Sequence, residues 1–363
     1  MDEFAWAYAA GRIKIVEKEL LSGNALRQLA EAGDLSAAIG LLKDTRYGPY
    51  LAEARTSGNA FDLSFEMALR DAYDSVAAYA GEPLAVTIFR ARHDFHNVKV
   101  AVKRRCLGIP EGEEAFSKVG NVPVSELEEV LLARAEGDPK GHQSEEGSLG
   151  PADLLIEQKA LRAAYLGAKD LIGRVEREEA ALEKTALALL ADSSVDRSYY
   201  RWASRQVRKL SYPGLVEFVA AEVDLINLRM ALRAAKTGLS PRLFREIVLV
   251  GGEIPPDLVA RAFEAGLQDL GRFYSKTALA VLAASGVAHL ERGESLTSWE
   301  KRCDDALTRV YRKGRYVSIG PEPVVGYLLG KEAEVRNLRV VFAGKESGLA
   351  PAEILERLRE TYV

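Results

Sequence analysis

Four histidines, at positions 93, 96, 142 and 289, are the first residues to test for chemistry. His93 and His96 lie three apart with Asp94 between them. On a helix that spacing supplies two-thirds of a metal-ligand set, or the start of a His–Asp site in a helical enzyme. In two related segments described below the same positions carry Val223 and Ile226, or Ala333 and Arg336. The pair therefore decorates one copy of a repeated scaffold, and no metal is assigned to it. His142 falls in Glu136 to Pro151, a stretch rich in Gly, Pro and charge that reads as a surface loop. The run Gly344-Lys345-Glu346-Ser347-Gly348 lacks the upstream glycine of a phosphate-binding loop and reads as a helix end. No G-x-G-x-x-G follows a predicted strand, so a dinucleotide fold has no support. The carboxylate pairs Asp304-Asp305 and Glu113-Glu114 are sequence neighbours, which do not face each other on a helix, and solvated faces are expected. Cys106 and Cys303 form no C-x-x-C, and neither cysteine nor any serine has a nucleophile's setting. Catalytic, cofactor-binding and metal-ligating residues are all read as none.

The elements behind these residues are helical. Of 363 residues, 48% are hydrophobic, 8% aromatic and 28% charged. That is enough apolar material for a packed core, and the length suggests two or three domains. Ala, Leu, Glu, Arg and Lys dominate, which are strong helix formers, and an all-α fold is predicted. A net charge of −4 argues against nucleic acid as a partner. The basic runs Lys103-Arg104-Arg105 and Arg312-Lys313-Gly314-Arg315 read as solvated helix ends. Sparse cysteine suggests a reduced, cytoplasmic chain. The acidic start Met1-Asp2-Glu3 is no signal peptide. The longest mild apolar run, Thr277 to Leu290, is too short to span a bilayer.

Three segments align without gaps: Pro83 to Gly108, Pro213 to Gly238 and Pro323 to Gly348. Each centres on an asparagine, Asn97, Asn227 or Asn337. Three positions earlier stands an acid, Asp94, Asp224 or Glu334; two positions later stands a base, Lys99, Arg229 or Arg339. Proline suits a helix's first turn, where an N–H has no partner to lose. Glycine just past the end accepts the left-handed C-cap, and a further proline (Pro110, Pro241 or Pro351) stops continuation. Each segment therefore predicts one helix of about 25 residues, roughly 37 Å long. Its apolar stripe is Ile88, Phe95, Val98 and Val102 in the first copy, Phe218, Leu225, Leu228 and Leu232 in the second, and Leu328, Val335, Leu338 and Phe342 in the third. The acid and asparagine are placed at one edge of that stripe and the base at the other, its charge reaching water. Helical patterns also cover Phe61 to Tyr79, Leu154 to Leu190 and Trp299 to Tyr316. The motifs Gly120-Asn121-Val122-Pro123 and Gly252-Glu253-Ile254-Pro255 each precede a new amphipathic run. Three related helical bundles are predicted, over residues 1–122, 123–254 and 255–363. The asparagine spacings of 130 and 110 residues are too long for a solenoid of short repeats, although a generic helical scaffold stays open as an alternative.

The segment from Ala91 to Lys99 resembles the signature of the C subunit of V-type and archaeal A-type ATPases, a family that includes the eukaryotic V-ATPase d subunit. Tyr8 to Lys14 resembles that family's start and Leu358 to Val363 its tail. The resemblance implies three bundles around a pseudo-three-fold axis, forming a funnel. It implies a central-stalk rotor subunit without an active site, carrying torque between the central shaft of D and F subunits and the cytoplasmic loops of the membrane proteolipid ring. It also implies a peripheral position on the cytoplasmic side of the membrane. Whether the complex makes or hydrolyses ATP, and whether it moves protons or sodium, stays open at this point.

Overall fold

The computed structural model describes residues 3–53, 58–110, 115–132, 151–178 and 182–363. Among them every regular element is a helix and none is a strand. The α-helices are α1 (Glu3–Val16), α2 (Gly23–Glu31), α3 (Leu35–Leu42), α4 (Gly48–Glu53), α5 (Gly58–Ala77), α6 (Pro83–Cys106), α7 (Val124–Leu132), α8 (Pro151–Glu178) and α9 (Lys184–Leu210). They continue as α10 (Pro213–Lys236), α11 (Pro241–Ile247), α12 (Pro256–Ala265), α13 (Leu267–Tyr274), α14 (Ala280–Glu291), α15 (Thr297–Arg312), α16 (Glu322–Glu346) and α17 (Pro351–Arg357).

The three repeated segments are α6, α10 and α16, of 24, 24 and 25 residues. Pro83 and Pro213 open the first two, whereas α16 starts one residue earlier, at Glu322, with Pro323 still inside its first turn. Gly108, Gly238 and Gly348 take φ of 60°, 66° and 67°, the left-handed conformation a C-cap demands of glycine. In the second and third copies the next leucine completes the cap. Leu239 N–H donates to the Ala234 carbonyl at 3.0 Å, and Leu349 N–H to the Gly344 carbonyl at 2.9 Å. Pro241 and Pro351 then open short helices of their own.

All twelve stripe residues are buried. The stripe is nevertheless only part of the contact surface. In α16 the buried set also includes Val325, Gly326, Leu329, Gly330, Ala333 and Gly344, on other faces of the helix. These helices are enclosed on most sides, so the picture of a single apolar edge with polar flanks underestimates them. A helix surrounded by protein must find protein partners for its polar side chains, and this fixes the roles described below.

Two further expectations change. The pattern from Leu154 to Leu190 is divided between α8 and α9, and α9 runs on to Leu210. Pro151 belongs to α8, whose first turn tolerates it, and the rest of the loop expected over 136–151 lies outside the described residues. Phe61 to Tyr79 corresponds to α5, and Trp299 to Tyr316 to α15 followed by a short 3-10 turn, Lys313–Tyr316.

Compactness separates residues 1–86 with 301–363 from residues 87–300. In the first unit α16 packs against α1, α2, α3 and α5, and α17 packs against α2. In the second, α8 lies along α9, α9 packs on α10, and α10 meets α12 and α14.

Candidate functional site

The repeated asparagines are wholly buried. Each makes the same two hydrogen bonds to the N–H and carbonyl of one residue in the chain returning from its own helix. Asn97 Nδ2 donates to the Ser117 carbonyl at 2.9 Å, and Asn97 Oδ1 accepts from the Ser117 N–H at 2.7 Å. Asn227 pairs with Leu249 at 3.1 and 2.8 Å, and Asn337 with Arg359 at 3.1 and 2.9 Å. A side-chain amide offers a donor and an acceptor side by side. It satisfies the N–H and the carbonyl of one residue in a stretch that no strand pairs with among the described residues.

The acids grip a different segment. Asp94 accepts from Asn121 N–H at 2.7 Å and Val122 N–H at 2.9 Å. Asp224 accepts from Glu253 N–H at 3.0 Å and Ile254 N–H at 3.1 Å. Val122 and Ile254 each stand two residues ahead of the helix that follows, α7 and α12. Glu334 accepts from Leu21 N–H, and Leu21 stands two residues ahead of α2. The three acids therefore hold equivalent lead-ins, the third by reaching back to the first part of the chain.

Gly120 and Gly252 make room for this grip. A Cβ on Gly120 would fall 2.1 Å from Asp94 Oδ1, and one on Gly252 would fall 2.0 Å from Asp224 Oδ1. The third joint is built differently. Where Asp becomes Glu, the residue three earlier changes from Ala91 or Ala221 to Lys331. Lys331 Nζ lies 2.6 Å from Glu334 Oε1 and 4.0 Å from the centre of the Tyr47 ring, and the Tyr47 hydroxyl donates to the same carboxylate at 2.5 Å. Asp94 and Asp224 have no such cation, and burial pushes both upward, Asp224 to about 6.

The bases tie each helix to a second long helix. Lys99 meets Asp196 of α9 at 2.5 Å. Arg229 donates to the Glu300 carbonyl of α15 at 3.2 Å, and Arg233, one turn on, meets the Glu300 carboxylate at 2.7 Å. Arg339 meets Asp62 of α5 at 3.1 Å. Helices α9, α15 and α5 are those directly preceding α10, α16 and α6. The bases thus follow the same cyclic order as the acids. Such partly exposed pairs contribute at most about 1 kcal/mol each and orient more than they stabilise.

The remaining candidates join this framework. His93 Nδ1 lies 3.2 Å from Ser117 Oγ and His96 Nε2 3.1 Å from the Ala115 carbonyl, so both rings face the returning segment. Asp304 and Asp305 do not form a solvated face. Arg359 reaches Asp304 at 2.6 Å and Glu360 N–H reaches Asp305 at 2.7 Å, because the C-terminal stretch lies across α15. The basic run after Lys313 is engaged too: Arg315 donates to the Tyr362 carbonyl at 3.3 Å and meets Glu17 at 3.5 Å. Glu113 and Glu114 lie outside the described residues. The sequence pattern did not single out Tyr362, whose buried ring lies against Gly326 and Gly330, spaced four apart on α16. It also missed Lys331, Tyr47 and Glu157.

Among the described residues no three His, Cys, Asp or Glu side chains are arranged to hold a metal ion, and no helix is long and apolar enough to cross a membrane. A surface cleft of about 580 Å³ includes Lys169, Arg174, Arg177 and Glu246, and the Arg174–Glu246 ion pair lies in it. None of the repeated acids, asparagines or bases lines it.

Comparison with known proteins places the chain among ATP synthase and ATPase subunits. The model of a family described as ATP synthase (C/AC39) subunit matches residues 9–137 and 144–357. The C subunit of the A-type ATP synthase of Methanocaldococcus jannaschii is 26% identical, over 98% of this chain and 86% of its own length. The C subunit of the V-type sodium ATPase of Enterococcus hirae is 25% identical over 95% of each chain. The C subunit of the A-type ATP synthase of Halorubrum lacusprofundi is 25% identical, over 97% of this chain and 96% of its own.

Proposed function

The chain belongs to the ATP synthase (C/AC39) subunit family, and we propose that it is the non-catalytic central-stalk adaptor of a V/A-type rotary ATPase. In this reading it sits between the central shaft of D and F subunits and the cytoplasmic loops of the membrane proteolipid ring, and passes torque from one to the other. It is peripheral, on the cytoplasmic side of the membrane. Its three sequence units, 1–122, 123–254 and 255–363, form three bundles about a pseudo-three-fold axis with the form of a funnel.

The observation that carries the proposal is the cyclic order of the joints. Each repeated helix holds the lead-in of the next unit through its acid, and, through its base, the helix directly preceding that unit's own repeated helix. The third copy returns to the first. A collar loaded by rotation needs all its joints tied, since torque applied to an open chain of bundles is lost in bending. Buried side-chain grips on backbone amides suit that demand, because packed interiors resist deformation.

The test is assembly. The protein should co-purify with the membrane ATPase, and removing it should release the catalytic head from the membrane sector. Imaging of the isolated chain should give three lobes around an opening. An assembled, coupled complex lacking the chain would end this reading.

A further inference from the structure

The first joint contains a second carboxylate that the other two lack. Glu157 of α8 and Asp94 of α6 are both wholly buried. Asn121 lies between them. Its N–H donates to Asp94 at 2.7 Å, and its Nδ2 lies 3.1 Å from both Glu157 oxygens and 3.2 Å from the Thr87 carbonyl. One asparagine thus bridges two wholly buried carboxylates, and burial together with their mutual repulsion disfavours ionising both.

We propose that Asp94 and Glu157 share one proton, and that this proton latches the lead-in to α7, so that the first joint loosens when the proton is lost. Glu157 is its carrier. Asp94 takes two backbone N–H donors, which favour its charged form, whereas Glu157 takes only the Asn121 amide. Burial and the neighbouring Asp94 push Glu157 well above the ordinary carboxylate range. The charged or titratable groups acting on the pair are Arg90 and His93, both from α6. Arg90 also donates from Nε to the Val119 carbonyl at 2.5 Å, and its charge opposes part of the rise at Glu157. The sign follows from the raised value: the latch is closed at low pH and opens as pH rises through the pair's titration. The three repeated acids thus differ in charge environment: Asp94 has the shared proton, Glu334 has Lys331, and Asp224 has no cation against it among the described residues.

Amide hydrogen exchange on the full chain tests this. The Asn121 and Val122 amides are compared with the equivalent Glu253 and Ile254 amides above about pH 7, where Asp224 is already ionised. The ratio of exchange rates should rise by up to about tenfold per pH unit through the pair's titration, and should stay flat in Glu157→Gln, which keeps a donor but has no proton to lose. A flat ratio in the wild type, or the same rise in Glu157→Gln, overturns the proposal. Should Glu157→Gln fail to fold, the infrared spectrum of the wild type decides. A buried protonated-carboxyl band must be present at neutral pH and vanish where the exchange ratio rises; its absence overturns the proposal.

Discussion

Gly252→Ala places a methyl group where a carboxylate now sits. Its Cβ would lie 2.0 Å from Asp224 Oδ1 and 2.8 Å from Cγ, against a practical limit of 3.0 Å. Gly252 is not among the glycines with positive φ, so the added methyl strains no backbone angle and space alone is at issue. To clear the methyl group, the carboxylate must retreat by about 1 Å. That stretches its bonds to Glu253 and Ile254, now 3.0 and 3.1 Å, beyond hydrogen-bonding range. Each buried group left unsatisfied costs about 1–3 kcal/mol, so a loss of roughly 2–5 kcal/mol is expected. Urea denaturation measures it, with the slope m confirming that the unfolded state is unchanged. Gly11→Ala is the control: nothing lies within 4 Å of that position in α1, and alanine should stabilise the helix by about 0.5–1 kcal/mol. The decisive arm is the double variant with Asp224→Ala. With the carboxylate gone the methyl group has room, so the two losses should fall short of additivity by about 1–3 kcal/mol. Strict additivity, or a Gly252→Ala loss below about 0.5 kcal/mol, refutes the steric argument.

Asn227→Leu and Asn337→Leu should each cost about 1–3 kcal/mol in chemical denaturation, because Leu249 and Arg359 lose both partners. Lys331→Met should cost about 3–5 kcal/mol by leaving buried Glu334 without its counter-charge, whereas Tyr47→Phe should cost about 1–2 kcal/mol. Asp224, raised from 3.8 to about 6, stays protonated in the fold where the unfolded chain has ionised, so stability should fall by up to about 3 kcal/mol between about pH 4 and pH 6; that component should disappear in Asp224→Asn, measured as the difference between the two pH profiles. Gly330→Ala would set a Cβ 2.5 Å from Tyr362 Cγ, and limited proteolysis should then find the residues after Leu358 newly accessible.

Sequence shows those parts of this architecture whose causes are local. Proline at the first turn and a left-handed glycine at the end act on their own backbone, so the spans of α6, α10 and α16 could be read directly. The break between α8 and α9 could not, as the apolar period continues through it. The tripled acid, asparagine and base were visible as a pattern, but their partners were not. Asn97 and Ser117 are 20 residues apart, and Glu334 and Leu21 are 313 apart, separations over which no helical period carries information. Two signals were present and mute. Gly120 and Gly252 precede matching x-Val/Ile-Pro turns, yet only coordinates reveal that their missing Cβ is space for a carboxylate. Lys331 replaces alanine in the one copy whose acid is Glu, a paired change that makes sense once both side chains are seen to be buried.

The most direct test of the proposed role measures ATP hydrolysis and ion transport together, in membranes carrying the ATPase with and without this chain. The adaptor reading expects the catalytic head to keep hydrolysing ATP while ATP-driven transport is lost, and both to be coupled again when the chain is added back. Transport persisting without it, in step with hydrolysis, would contradict the account.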